Sequence, residues 1–244
     1  MTAARSGTPR IYLLAVLTLL TLAVLVSLGT WQVRRLAWKE ALIERIEKRR
    51  AAAPVPLAEV EREYAQGGDV DYQPVTLAGR FEHGGEQHFF ATHKGASGYY
   101  VYTPLRLADG RAILLNRGFV PFDRKDPATR KDGQVEGDVA VTGLARNPLS
   151  EKPSGVYEND PDRNIYYWKD RDAMARAAGL DPARLLPFFV DADDAPNPGG
   201  WPMGGVTVVS LPNNHLQYAI TWYGLALALA GVFAFWLAQV RRRD

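Results

Sequence analysis

The chain has no cysteine, three methionines and four histidines. Without a thiol it forms no disulfide, offers no thiolate nucleophile and builds neither a zinc–thiolate site nor a cysteine relay for copper. The thioethers, at Met1, Met174 and Met203, are too few for the soft donor set that copper delivery favours. Net charge is scarce too: 29 Lys and Arg against 27 Asp and Glu leave +2, so no basic field argues for nucleic acid. Catalytic spacings are also missing, with no H-E-x-x-H, G-x-S-x-G, phosphate-binding Walker A loop or dinucleotide fingerprint. The acidic residues Asp69, Asp71, Asp191, Asp193 and Asp194 read as solvated strand ends rather than a catalytic pair. Nothing here announces an enzyme.

What the chain does have is two long apolar runs without a single charge, Ile11–Gly29 and Tyr218–Val240. Each is long enough, at about 1.5 Å per helical residue, to cross a hydrocarbon core of roughly 30 Å. The first stays uncharged to Val33, which gives an expected span over 11–33 behind an N-terminal tail of 1–10. A cleaved signal peptide is the competing reading, but the core is longer than a usual signal core and no A-x-A site follows it. The second span is expected over 216–240, with Trp222, Tyr223 and Trp236 forming aromatic belts, and ends in the basic tail 241–244. Three arginines follow this span, and no Lys or Arg occurs from 185 to 217. That asymmetry places both termini in the cytoplasm and residues 34–215 on the other side of the membrane. The basic stretch Arg34–Arg50 points the other way, but it is interleaved with Glu40, Glu44 and Glu47 and reads as a charged helix.

In that helix Trp31, Arg35, Trp38, Leu42 and Ile46 recur at three-to-four spacing until Pro54 and Pro56 end it. From Tyr72 the periodicity shifts towards two. PVTLAGRF, EQHFFATH, GYYVYTPLRL, RAILLNRGFV, DVAVTGLA, LLPFFVDA and GGVTVVSL are strand candidates, and Asp109-Gly110 makes the third and fourth a hairpin. Adding a short helix at Arg171–Ala178, the expectation is a membrane protein with two transmembrane helices bracketing an extracytoplasmic α+β domain on an antiparallel, barrel-like sheet. Residues 121–137 and 194–205 read as long connections.

Among the histidines, 83, 88 and 93 are five apart, so alternation sets His88 against the other two, and they read as surface or strand-filling residues. His215 differs. It stands at the start of the second span behind Pro212, Asn213 and Asn214, with Tyr218, Ala219, Trp222 and Ala226 on the same helical face. A neutral imidazole is a good axial ligand for haem iron, and a membrane-edge slot suits an amphiphilic porphyrin, with Arg34 or Arg35 available to its propionates. The structural alternative is a histidine hydrogen-bonded across to the first span or to the sheet.

An ordered set of segments, GTWQVRRLAWKEALI, YQPVTLAGRF, YTPLRLADGRAILLNRGFVP, YYWKDRDAMARAAG, LLPFFVDAD, WPMGG and PNNHLQYAITWYGLA, resembles the surfeit-locus cytochrome oxidase assembly family of bacterial and mitochondrial inner membranes. The resemblance covers nearly the whole chain. It implies a non-catalytic assembly factor for aa3-type cytochrome c oxidase, held in the cell inner membrane with its main domain periplasmic. Such a protein transiently binds haem a, receives it from haem a synthase and presents it to oxidase subunit I. The alternative is an assembly scaffold that binds no haem. The family histidine falls on His215 as iron ligand, and the cofactor-binding set it suggests is His215, Trp222, Tyr218, Trp31, Arg34 and Arg35. Gly29 and Trp31 have tight helix packing as their structural alternative, while Asn116, Arg117 and Gly118 have a strand-ending turn as theirs. The family's usual NRGWVP is NRGFVP here, which loses an indole donor at Phe119. An arginine common before the GYYVYTPL strand is also missing, leaving His93 and Lys94 as the nearest basic residues.

Overall fold

No proline or glycine pair interrupts the first apolar run, and the charged stretch behind it keeps helical spacing. A single helix, α1, accordingly extends over Thr8–Arg50 in the computed structural model, which describes residues 8–207 and 211–243. Next come the two-residue strand β1 (Val55–Pro56) and helix α2 (Leu57–Ala65). Strands β2 (Pro74–Phe81), β3 (Gln87–His93), β4 (Ala96–Arg106), β5 (Ala112–Pro121) and β6 (Asp138–Arg146) follow. Helix α3 (Arg171–Ala177), strand β7 (Phe189–Ala192) and helix α4 (His215–Arg243) complete the order. Two compact units result, one of residues 1–45 with 210–244 and one of 46–209. α1 and α4 are the two membrane-spanning helices, long and apolar enough by composition.

The sheet domain forms because β5 is apolar on both faces. Ile113 and Leu115 join one buried cluster with Val60 of α2, Val75, Leu105, Phe188 and Val190. Ala112 and Leu114 join a second with Tyr102, Tyr166, Phe189 and the α3 residues Met174 and Ala175. Strands covered on both sides read as continuous apolar runs rather than alternating ones. α3 starts where Asp170 accepts a hydrogen bond from the Ala173 N–H at 3.0 Å, an N-cap. The β4–β5 hairpin turns at Asp109-Gly110, with Gly110 at φ +79°, as the sequence suggests.

Closure and strand direction differ from expectation. The seven strands run in the order β1-β2-β6-β7-β5-β4-β3, which leaves β1 and β3 as edges. The sheet is not a closed barrel: β2 meets β4 only through Arg80 with Arg106 and Phe81 with Leu105. Nor is it purely antiparallel, since β1–β2 and β5–β7 pair in parallel. The reason is that two-residue periodicity tells which residues face the core but not which strands become neighbours. β7 returns after α3 and inserts between β5 and β6 instead of extending a hairpin. Of the segment GGVTVVSL, residues 204–207 are irregular and 208–210 lie outside the described residues. Asn116, Arg117 and Gly118 are inside β5, not at a turn after it.

The insertion of β7 buries a carboxylate. Asp191 Oδ1 accepts from Asn116 Nδ2 at 3.0 Å and, at 3.5 Å, from the Tyr102 hydroxyl. Oδ2 accepts from Arg146 Nη1 at 3.0 Å and Thr207 Oγ1 at 2.9 Å. Burial alone would raise this carboxyl, but the charges of Lys169 and Arg146 and the bonds from Asn116 and Thr207 hold it below its ordinary value. Asp191→Ala should lower the unfolding free energy of the solubilised chain by about 3–5 kcal/mol, because three donors and a guanidinium lose their acceptor. Asp138→Ala, which breaks a surface pair with Arg80, should leave the denaturation midpoint unchanged.

A second buried group sits by β3. Burial pushes the His88 imidazole down to about 4. For Glu86 burial works upward, but the hydrogen bonds and charge of Arg130 and the charge of Arg117, with the His83 ring 3.8 Å away, hold it down at about 2. Both groups bind protons more weakly folded than unfolded, so acid favours unfolding. The His88 contribution is complete above its ordinary 6.5 and is lost as pH falls towards 4. That of Glu86 is complete above 4.5 and is lost towards 2. Unfolding midpoints measured across this range should fall in two limbs, and His88→Phe should remove only the upper one.

Candidate functional site

Within the helical unit, buried or half-buried positions recur every three to four residues on both helices: Leu22, Leu25, Leu28, Gln32 and Leu36 on α1, and His215, Ala219, Trp222 and Ala226 on α4. This is the stripe spacing of packed helices. Gly29 is buried because the Tyr223 ring lies against it; a Cβ there would come within 2.8 Å of that ring. The Tyr223 hydroxyl then meets Thr30 Oγ1 at 3.1 Å, and Thr30 also donates to the Val26 carbonyl at 2.8 Å. Tight helix packing accounts for Gly29. It does not account for Trp31, which is 56% exposed.

The contact that matters chemically lies on the same stripe. His215 Nδ1 is 2.7 Å from Gln32 Oε1. An amide oxygen only accepts, so Nδ1 carries a proton and donates it, and in the neutral ring the lone pair is then on Nε2. Gln32 is buried, 8% exposed, and its oxygen would otherwise be an unsatisfied polar atom between apolar helices. The structural alternative for His215, a hydrogen bond across to the first span, is therefore what Nδ1 does. That bond is also the device by which a second residue fixes the tautomer and orientation of a metal-binding imidazole.

The other expected site residues surround this pair without bonding to it. Trp222 is half-buried on the stripe, while Tyr218 is 53% exposed. Arg34 and Arg35 are exposed and form no ion pair among the described residues; Arg35 lies 3.9 Å over the Trp38 ring. Gln32 was not among the residues expected to form the site, although it stands beside Trp31 in a matched segment. Its signal was an uncharged polar side chain in helical phase with the apolar stripe. Among the described residues Asn213 and Asn214 make no side-chain cap; the Asn214 carbonyl accepts from the Tyr218 N–H at 3.2 Å. Of the remaining histidines, His88 and His93 are buried in strands, and His83 donates Nε2–H to the Val135 carbonyl at 2.8 Å. Phe119 packs on His93, with ring centres 5.4 Å apart, an environment that asks for no indole donor.

The SURF1 family profile matches residues 19–227, which takes in α1 from its apolar run, the sheet domain and the start of α4. The chain belongs to the SURF1 family. It is 41% identical to surfeit locus protein 1 of Rattus norvegicus over 89% of this chain and 72% of that protein. It is 40% identical to surfeit locus protein 1 of Homo sapiens over 83% and 70%. A SURF1-like protein of Drosophila melanogaster is 32% identical over 92% and 77%. The matched stretch of this SURF1-family chain includes both partners of the Gln32–His215 bond.

Among the described residues no group of three or more His, Asp or Glu side chains is arranged to hold a metal ion. Nitrogen-15 spectra of histidine-labelled protein at neutral pH should show His215 as the Nδ1–H tautomer. Gln32→Leu should shift it towards the Nε2–H form.

Proposed function

We propose that this chain is a non-catalytic assembly factor for aa3-type cytochrome c oxidase that holds haem a through His215. The assembly role comes with membership of the SURF1 family. The haem step rests on one observation, the Gln32–His215 hydrogen bond that in the neutral ring puts the lone pair on Nε2, on a helix at the membrane edge. Haem a brings the redox-active iron and its porphyrin; the protein's part is to bind, orient and release it. In this reading His215 Nε2 would hold the haem iron and Gln32 would keep the ring in the tautomer that leaves Nε2 available. The exposed faces of Trp31 and Tyr218 and the half-buried Trp222 offer apolar surface to a macrocycle, and Arg34 and Arg35 offer charge to its propionates. Haem a synthase is the proposed donor and oxidase subunit I the proposed acceptor.

The arginines after α4 and the absence of Lys and Arg from 185 to 217 support a cytoplasmic location for both termini and a periplasmic sheet domain in the cell inner membrane. Purified from a host that makes haem a, the detergent-solubilised chain should give a haem a pyridine-haemochrome spectrum. His215→Ala should abolish it while far-ultraviolet circular dichroism stays unchanged. Gln32→Leu should weaken haem retention by roughly 10–100-fold, the usual effect of losing a group that orients a metal ligand. Folded wild-type protein without haem, copurifying with oxidase subunits, would identify the non-haem scaffold instead.

A further inference from the structure

The sheet domain holds a buried cation that nothing in haem handling uses. β5 is bulged: Tyr100 pairs with Phe119 and Tyr102 with Asn116, so Arg117 and Gly118 together stand opposite Val101. Gly118, at φ +130°, permits this, and a Cβ there would overlap the Met203 carbonyl. Bulges re-aim a side chain out of strand alternation, and here the one re-aimed is Arg117, 2% exposed. Its guanidinium lies 4.7 Å over the Phe81 ring. Nη2 donates to the Gly133 carbonyl and to Asn197 Oδ1, and Nη1 is 3.5 Å from His83 Nδ1. Nε has no partner among the described residues.

The nearest carboxylate is shared. Glu86 is 3.6 Å from Arg117, but both its oxygens accept from Arg130, itself 4% exposed. Two guanidinium groups thus share one carboxylate in a dry site, where an unmatched charge is strongly disfavoured. Arg117 also forms part of the wall of a cavity of about 370 Å³, with Phe81, Leu115, Val139, Val141 and Asn197. The other ionisable group on that wall, Asp193, accepts from the Ala195 N–H within its own loop and is not paired with Arg117. The cavity therefore sets apolar side chains beside polar ones and one under-satisfied guanidinium, and its volume is that of a small-molecule site. Arginine recognises carboxylates by charge and by directed N–H groups together.

We propose that this cavity binds a small organic carboxylate with a compact apolar body, its head group taken by Arg117. Hydrocinnamate, titrated calorimetrically into the full chain in nonionic detergent, should bind saturably, with the uncharged hydrocinnamamide at least about tenfold weaker. Arg117→Met should abolish that preference. Ala192→Leu, which fills the cavity from β7 and leaves Arg117 in place, should weaken the acid by about tenfold or more. No saturable binding to folded wild-type protein, equal binding of acid and amide, or a preference that survives in folded Arg117→Met would overturn the proposal. Should Arg117→Met not fold, undiminished acid binding by Ala192→Leu would overturn it.

Discussion

Asp191 sits where β7 enters between β5 and β6, and its two oxygens take hydrogen bonds from β4, β5, β6 and the segment beyond β7. A carboxylate buried to 3% exposure is tolerable only where charge and donors are delivered to it from several directions. The strand order delivers them. Asn116 and Arg146 arrive by direct pairing of their strands with β7, and Tyr102 reaches across from β4. The Lys169 ammonium adds its charge from 5.3 Å above the Tyr102 ring. Slipping β7 by one residue would turn Asp191 to the opposite face, so the network selects one register of the mixed sheet and excludes its neighbours.

The same logic operates in the helical unit with uncharged groups. A glutamine and a histidine between apolar helices are each unfavourable alone, and together each satisfies the other. Because the glutamine supplies an acceptor, the pair is directional, and the imidazole is left with a free lone pair. The two ring nitrogens are thus unequal: Nδ1 is engaged in packing between the helices and Nε2 is not. Thr30 and Tyr223 make a second bond between the same two helices, beside the close contact of the Tyr223 ring with Gly29.

Much of this was legible before any coordinates. The charge-free runs gave both helices, and alternation gave β2 to its exact bounds, Pro74–Phe81, with β3, β5 and β6 within a residue or so. What alternation could not give was neighbour order. The parallel place of β7 depends on residues far apart in sequence, and β1 is two residues long and contains a proline. The Asn116-Arg117-Gly118 bulge was invisible because an extra residue in a strand reads locally as strand. At the candidate site His215 was legible from its position at a helix start. Gln32 was not, since its meaning lies in a partner 183 residues away.

An open sheet has two rims, and each rim here is blunted differently. β1 ends in Pro56, whose nitrogen has no hydrogen to offer. β3 is covered by residue 166, whose N–H and carbonyl bond to His88 and Phe90, while the Asn164 side chain accepts the His88 N–H. Tethered to a bilayer, copies of such a domain diffuse in two dimensions at high local density, the setting in which bare strand edges zip together into fibrous aggregates. The fold forgoes closure and leaves little bare edge for such pairing, because its margins are sealed by a proline and a borrowed tyrosine backbone.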